Sequence, residues 1–229
     1  TERLLSDISS KYDAVYLCNP NNPTGRIEPK DKLSRIIREC EDMGVLVFLD
    51  ETLLELVPGY VDNSLCGAVG RYSNLIVASS LTKSYAIPGI RLGFGMMNPD
   101  LAEDMNRVRM TWNVGTLEQA VGIALLRDCR EHVDRAASMM AVESEVMNSA
   151  LKDVGFPAGD VSDSFFYFNS VESLGMDASE FKSRMIKKGI SVRDCSSFGP
   201  RFSSYIRYSV KDKEHNCRFV AAVDSVING

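Results

Sequence analysis

Histidine is nearly missing: the chain of 229 residues has two, His132 and His215. Both stand in polar stretches of helical pattern, which argues against a histidine-based triad or a histidine metal site. Six cysteines (Cys18, Cys40, Cys66, Cys129, Cys195 and Cys217) include no C-x-x-C pair. Neither a disulfide framework nor zinc spacing is present, so free thiols in a reducing cytoplasm are expected. No apolar run approaches the roughly 18 residues that span a bilayer. The opening Thr1-Glu2-Arg3-Leu4-Leu5 is polar and amphipathic, unlike a signal peptide. Excess positive charge is also lacking, with 31 acidic against 26 basic residues and a formal charge of -5. Lysine and arginine form no blocks, so neither nucleic acid nor a membrane is expected as a partner. Without a G-x-G-x-x-G or Walker loop, nothing supports a nucleotide-binding α/β domain of the usual kinds.

What is there is an ordinary globular composition, 45% hydrophobic and 25% charged, on a chain long enough to bury a core. Strand and helix patterns alternate. Ala14 to Cys18, Val45 to Leu49, Leu75 to Ala78 and Leu92 to Met97 are short apolar runs. The last three read as buried strands, and the spacing of Leu33, Ile36, Ile37 and Cys40 predicts a helix over about 29–43, with Gly44 at its C′ position. This predicts an α/β fold with a mostly parallel sheet and flanking helices over 1–130. After Pro99 the pattern gives helices over 100–109, 116–127 and 129–153. Then come a strand at 165–169, a helix at 178–188, strands near Ser191-Val192 and 205–210, and a closing helix to about Ile227. Residues 131–229 are therefore expected to form a smaller α+β domain.

In parallel sheets, ligands bind beyond the carboxyl ends of the strands. Asn19, Asp50 and Ser80 each lie at or just past the end of an apolar run. Lys83 comes next among hydroxyls, and a lysine partly desolvated near other cations suits nucleophilic Schiff-base chemistry. Ser80, Thr82 and Arg91 supply two hydroxyls and a guanidinium fork, the makings of a phosphate cup. Asp50 can keep a pyridinium nitrogen protonated. Asn22 offers an amide from a proline-constrained turn, and Arg207, between apolar residues, can clamp a carboxylate. Blander readings remain open for each. Lys83 suits a solvated loop, Asp50-Glu51 a helix cap, "NPNNPTG" a rigid turn, and Arg207 a strand residue reaching to water.

Order and spacing give these residues a common meaning. "NPNNPTG" (Asn19 to Gly25), "FLDE" (Phe48 to Glu51), "SSLTKSYAIPGIRLGFG" (Ser79 to Gly95) and "YIRYSV" (Tyr205 to Val210) resemble the ordered signatures of fold-type I pyridoxal-phosphate enzymes of the aminotransferase class. The resemblance implies pyridoxal 5′-phosphate as cofactor, with Lys83 as the Schiff-base lysine and proton carrier. It implies Asp50 on the pyridine nitrogen, Asn22 on the ring's phenolic oxygen, and Ser80, Thr82 and Arg91 on the phosphate. Arg207 would hold the substrate carboxylate, and a homodimer is implied.

"SLTKSYAIPGIRLG" and "GISVRDCSSF" are most similar to threonine-phosphate decarboxylases of cobalamin synthesis, with histidinol-phosphate aminotransferases as close relatives. Arg193 then matches an arginine that reaches the substrate phosphate, with an exposed strand-end arginine as the alternative. Asn22 also lies on the substrate side. Trp112, in "TWNVGTLEQA", either lines the site or packs. The implied substrate is a small phosphorylated amino acid.

Two departures stand out. Leu53 occupies the place where the aminotransferases carry a tyrosine, and the segment that the family carries before "NPNNPTG" is represented by about twenty residues. A truncated large domain is expected to expose apolar surface and to impair activity. A catalytically silent remnant is the reading opposed to an active lyase or aminotransferase.

Overall fold

The computed structural model describes residues 2–9 and 11–229. They form two units, Thr1–Asn21 with Ile27–Ala136, and Asn22–Arg26 with Ala137–Gly229. The division is not a single cut, because the second half of "NPNNPTG" belongs with the C-terminal residues.

The first unit comprises α1 (Glu2–Asp7), β1 (Ala14–Cys18), α2 (Lys30–Asp42), β2 (Leu46–Asp50), α3 (Tyr60–Asn63), β3 (Leu75–Ser80), α4 (Leu81–Ser84), β4 (Gly93–Met96), α5 (Pro99–Val108), α6 (Thr116–Asp128) and the start of α7 (Arg130–Asp153). Its sheet has the order β1-β2-β3-β4, with β1, β2 and β3 parallel. Helix α2 turns Leu33, Ile36, Ile37 and Cys40 inward onto Val47, Leu49, Leu75 and Val77. Each such fully buried aliphatic side chain contributes about 1.5–3 kcal/mol. Gly44 takes φ +71°, and the amides of Gly44 and Val45 close the helix on Glu41 and Cys40 as a Schellman motif.

Two expectations change. The run Leu92 to Met97, read as another buried strand of the parallel set, yields β4, which is antiparallel to β3 and largely exposed. The link between β3 and β4 holds only a one-turn helix, too little for the crossover that a parallel return needs. Strand β2 is also buried on one face only. Phe48, Ile76 and Phe94 line a cavity of about 710 Å³ with Met105 and Val108 of α5, on the face away from α2.

Glu51, directly after β2, is 4% exposed. Its carboxylate accepts from the Leu65 amide (2.8 Å) and the Ser64 hydroxyl (2.6 Å), anchoring the chain beyond α3. Burial pushes its pKa up, against the pull of these two bonds and of Lys30. A carboxyl raised in the folded state favours folding most when protonated. Its contribution is therefore full below the ordinary value of 4.5 and declines as pH rises through the raised one. In denaturant melts of Glu51→Gln and the parent chain, that decline should be present in the parent and missing from the variant.

The second unit packs the rest of α7 and α8 (Ala178–Lys187) and α9 (Lys213–Ile227) with β5 (Phe166–Ser170), β6 (Arg193–Asp194) and β7 (Tyr205–Ser209). The sheet order is β5-β7-β6, antiparallel throughout. Met147, Leu151, Tyr167, Phe181, Met185, Ile206 and Tyr208 form its core. The strand expected at Ser191-Val192 falls at Arg193–Asp194 instead. Val192 turns into the core, while Arg193 and Asp194 take the ladder positions opposite Arg207 and Ile206.

Candidate active site

Strands β1, β2 and β3 end together at one edge of the first unit's sheet. Their register sets Cys18 beside Asp50 and Asp50 beside Ala78, so Asp50 and Ser80 emerge on neighbouring strand ends. Both oxygens of Asp50 are held. Oδ1 accepts from the Thr52 amide at 2.9 Å, and Oδ2 accepts from the phenol of Tyr16 at 2.7 Å. Loss of water around its hydroxyl, the hydrogen bond to Asp50 and that residue's charge push the Tyr16 phenol up to about 12, although the residue as a whole is 64% exposed. Its ring stacks on Phe48, with centroids 4.9 Å apart and planes 13° from parallel. Sequence reasoning missed Tyr16. The available signal was its position: in parallel strands paired in register, a residue two before the strand end is a diagonal neighbour of the last residue next door.

Asn19, also past a strand end, is buried and ties the turn down. Its side chain accepts from the Glu28 amide at 2.7 Å and donates to the Glu28 carbonyl at 3.3 Å.

Ser80 caps α4 by accepting from the Thr82 amide at 3.2 Å, and its hydroxyl lies 2.9 Å from that of Thr82. It also donates to the Leu92 carbonyl at 3.3 Å, and the Leu81 amide does the same at 3.2 Å, which closes the loop between β3 and β4. Leu81 and Tyr85 pack inward with Val133, Leu92 and Leu125. One helical turn thus buries positions 81 and 85, and Lys83 between them points outward and is exposed. No partner among the described residues holds its ammonium. Arg91, exposed, donates to the Pro88 carbonyl at 2.9 Å and keeps the rest of its fork open. Leu53 comes after the Asp50 turn with no polar group to offer, and Trp112 stands 96% exposed at φ +53°.

The other three candidates lie in the second unit. Arg207 on β7 donates to the side-chain oxygen of Asn22, and its guanidinium sits 5.3 Å from the centre of the Phe166 ring. Arg193 is its register partner on β6 and donates to the Ser197 hydroxyl at 3.1 Å. Two guanidinium residues therefore project from directly opposed positions of adjacent strands. Burial raises the nearby Cys195 thiol although both arginines pull it down. Gly25 has φ +72°, and Arg26 donates to the Val161 carbonyl at 3.0 Å, which fastens the segment carrying Asn22 onto this unit.

The structure thus brings Asp50, Ser80, Thr82, Lys83 and Arg91 to one edge of the first unit, and Asn22, Arg193 and Arg207 together in the second. Two hydroxyls and a guanidinium suit a phosphate, an unpaired amine suits an aldehyde, and a carboxylate pinned at both oxygens suits a ring N–H. This donor set fits a phosphorylated pyridine aldehyde.

Comparison with known proteins agrees. The family model described as aminotransferase class I and II matches residues 1–223. A histidinol-phosphate aminotransferase of Methanosphaera stadtmanae is 29% identical over 226 residues, which are 99% of this chain and 59% of the relative. The crystal structure of the histidinol-phosphate aminotransferase from Clostridium acetobutylicum superposes with a TM-score of 0.90 at 26% identity, over 99% of this chain and 67% of that one. That of L-threonine-O-3-phosphate decarboxylase from Porphyromonas gingivalis gives 0.79 at 21%, covering 95% and 65%, a likeness of fold alone. The chain spans 59% of the curated relative it matches.

Proposed function

This chain belongs to the class I and II aminotransferase family, whose cofactor is pyridoxal 5′-phosphate, and on that premise we propose that it carries the catalytic lysine of an enzyme that decarboxylates L-threonine O-3-phosphate. The observation that carries this reading is the opposed pair Arg193 and Arg207. Threonine phosphate bears two anionic groups, a carboxylate and a phosphate, and a guanidinium fork matches either. Histidinol phosphate itself bears only the phosphate, and in amino transfer the second fork would serve the carboxylate of the keto-acid acceptor.

When bound, pyridoxal phosphate supplies an electron sink conjugated with the substrate's α-carbon. In this reading Ser80, Thr82 and Arg91 hold its phosphate, Asp50 keeps the proton on its ring nitrogen, and Asn22 hydrogen-bonds its phenolic oxygen. Lys83 would hold the aldehyde end of the cofactor and would serve as the amine that carries a proton to or from the substrate's α-carbon. Arg207 orients the carboxylate and Arg193 the phosphate. Arg207→Lys should therefore raise KM for threonine phosphate about tenfold or more with a smaller fall in kcat, because a point charge cannot replace a bidentate fork. A homodimer and a reducing cytoplasm belong to the same proposal, and the free cysteines support the reducing compartment.

Amino transfer from histidinol phosphate is the second reading, favoured by the names of the two aminotransferases above. Product analysis with both substrates, pyridoxal phosphate and a 2-oxo acid as amino acceptor separates the two. Carbon dioxide and an amine from threonine phosphate support decarboxylation, and a ketone from histidinol phosphate supports transfer. Neither product, with no visible absorbance from bound cofactor in a folded chain, sinks both and leaves the silent remnant.

A further inference from the structure

Tyr16 is a strand residue whose side chain a purely structural role does not explain. It is 64% exposed, yet its hydroxyl is spent on the one carboxylate at the end of the neighbouring strand. The parallel register sets Tyr16 beside Phe48 and Cys18 beside Asp50, so Phe48 and Asp50 share a face and Tyr16 reaches Asp50 diagonally. Stacking on Phe48 fixes the ring's plane and aims the hydroxyl. With the Thr52 amide on Oδ1 and the phenol on Oδ2, the orientation of the Asp50 carboxylate is set at both of its oxygens.

We propose that Tyr16 is a positioning residue for the cofactor's pyridine nitrogen, acting through Asp50: its phenol holds the carboxylate in the orientation from which it meets the ring N–H. This rests on the reading that Asp50 pairs with that nitrogen. The same reading gives the site an acidic anchor built from two strands, β1 supplying the donor and β2 the carboxylate. The titratable groups that act on the phenol are Asp50 on β2 and Cys18 on β1, and both make it harder to ionise.

The test uses the full chain, with Tyr16→Phe and Asp50→Asn as variants. The first readout needs no cofactor. In chain labelled with ¹³C at the tyrosine ring, the Tyr16 signal, assigned by its loss in Tyr16→Phe, should show a protonated phenol at about pH 10.5, where an ordinary tyrosine is mostly ionised. In Asp50→Asn its midpoint should fall toward the ordinary value. The second readout is equilibrium binding of pyridoxal phosphate and of its analogue with carbon in place of the ring nitrogen. Tyr16→Phe should weaken pyridoxal phosphate about tenfold, the loss of one hydrogen bond to a charged group, and leave the analogue unchanged.

If both molecules weaken equally, Tyr16 only packs and the proposal is overturned. If the parent chain and Tyr16→Phe bind pyridoxal phosphate alike while Asp50→Asn binds it poorly, Tyr16 is idle and the reading of Asp50 stands. If Asp50→Asn binds as well as the parent, the reading of Asp50 itself falls and takes this proposal with it.

Discussion

Lys83→Ala is expected to lose at least about a thousandfold in kcat on whichever phosphorylated substrate the parent chain converts, within the range that a positioned proton carrier provides. The geometry explains why so much rests on one side chain. Leu81 and Tyr85 are buried, so the single turn of α4 cannot rotate, and Lys83 is held outward between them. Ser80 and Thr82 sit on the same turn, with hydroxyls 2.9 Å apart. An amine and a phosphate cup joined by so short and rigid a segment leave little freedom in where the two ends of a bound ligand lie. Because Lys83 is exposed and has no partner among the described residues, its loss should leave folding unchanged, and the near-ultraviolet circular dichroism of the variant should overlay the parent's. Borohydride reduction of the loaded parent should fix the cofactor to the peptide that contains residue 83, and Lys83→Arg, which keeps the charge, should not restore labelling. Labelling on another lysine would sink the assignment.

Gly25→Ala should destabilise the second unit by about 2–4 kcal/mol, combining a left-handed backbone with an overpacked contact. A methyl group at this position would lie 2.4 Å from the Ser162 hydroxyl and 2.9 Å from the Phe166 carbonyl oxygen. The serine can swing away. The carbonyl belongs to β5 and cannot move without dragging its ladder to β7, the strand that carries Arg207. The change should therefore also loosen the hold of Arg207 on Asn22 and raise KM for a carboxylate substrate. Gly175→Ala, in the same unit, is the control. It has nearly the same φ, +71°, with nothing within 4 Å of the added methyl, so it should cost only the backbone term of about 1–2 kcal/mol. Equal midpoints for the two variants in denaturant melts would show that the close contact contributes nothing.

Much of this arrangement was legible in the residues. Asp50 and Ser80 close apolar runs because a parallel strand is buried along its length and polar where it leaves the sheet. The interval from Ser80 to Arg91 reads as strand end, helical turn and loop because serine caps a helix, and because Pro88 and Gly89 keep that helix from continuing. The α2 helix and its Gly44 terminus are set by 3.6-residue periodicity and a left-handed stop. The direction of β4 was less accessible: apolar content says that a strand exists, but its sense depends on what the preceding loop can span. The placement of β6 at Arg193–Asp194 was likewise hidden, since two residues carry too little pattern to outweigh the more apolar pair before them.

By itself, then, the sequence determined most of the elements, the family and the candidate site residues, because periodicity, turn chemistry and motif order are properties of neighbours along the chain. Tertiary structure alone decided which groups hold which. Tyr16 grips Asp50 across 34 residues, and Arg207 grips Asn22 across 185. Gly25 leaves room for an oxygen on β5 that would lie 2.9 Å from an added methyl group. Strand register and close packing bring such pairs within hydrogen-bond reach, and neither is written in any local stretch.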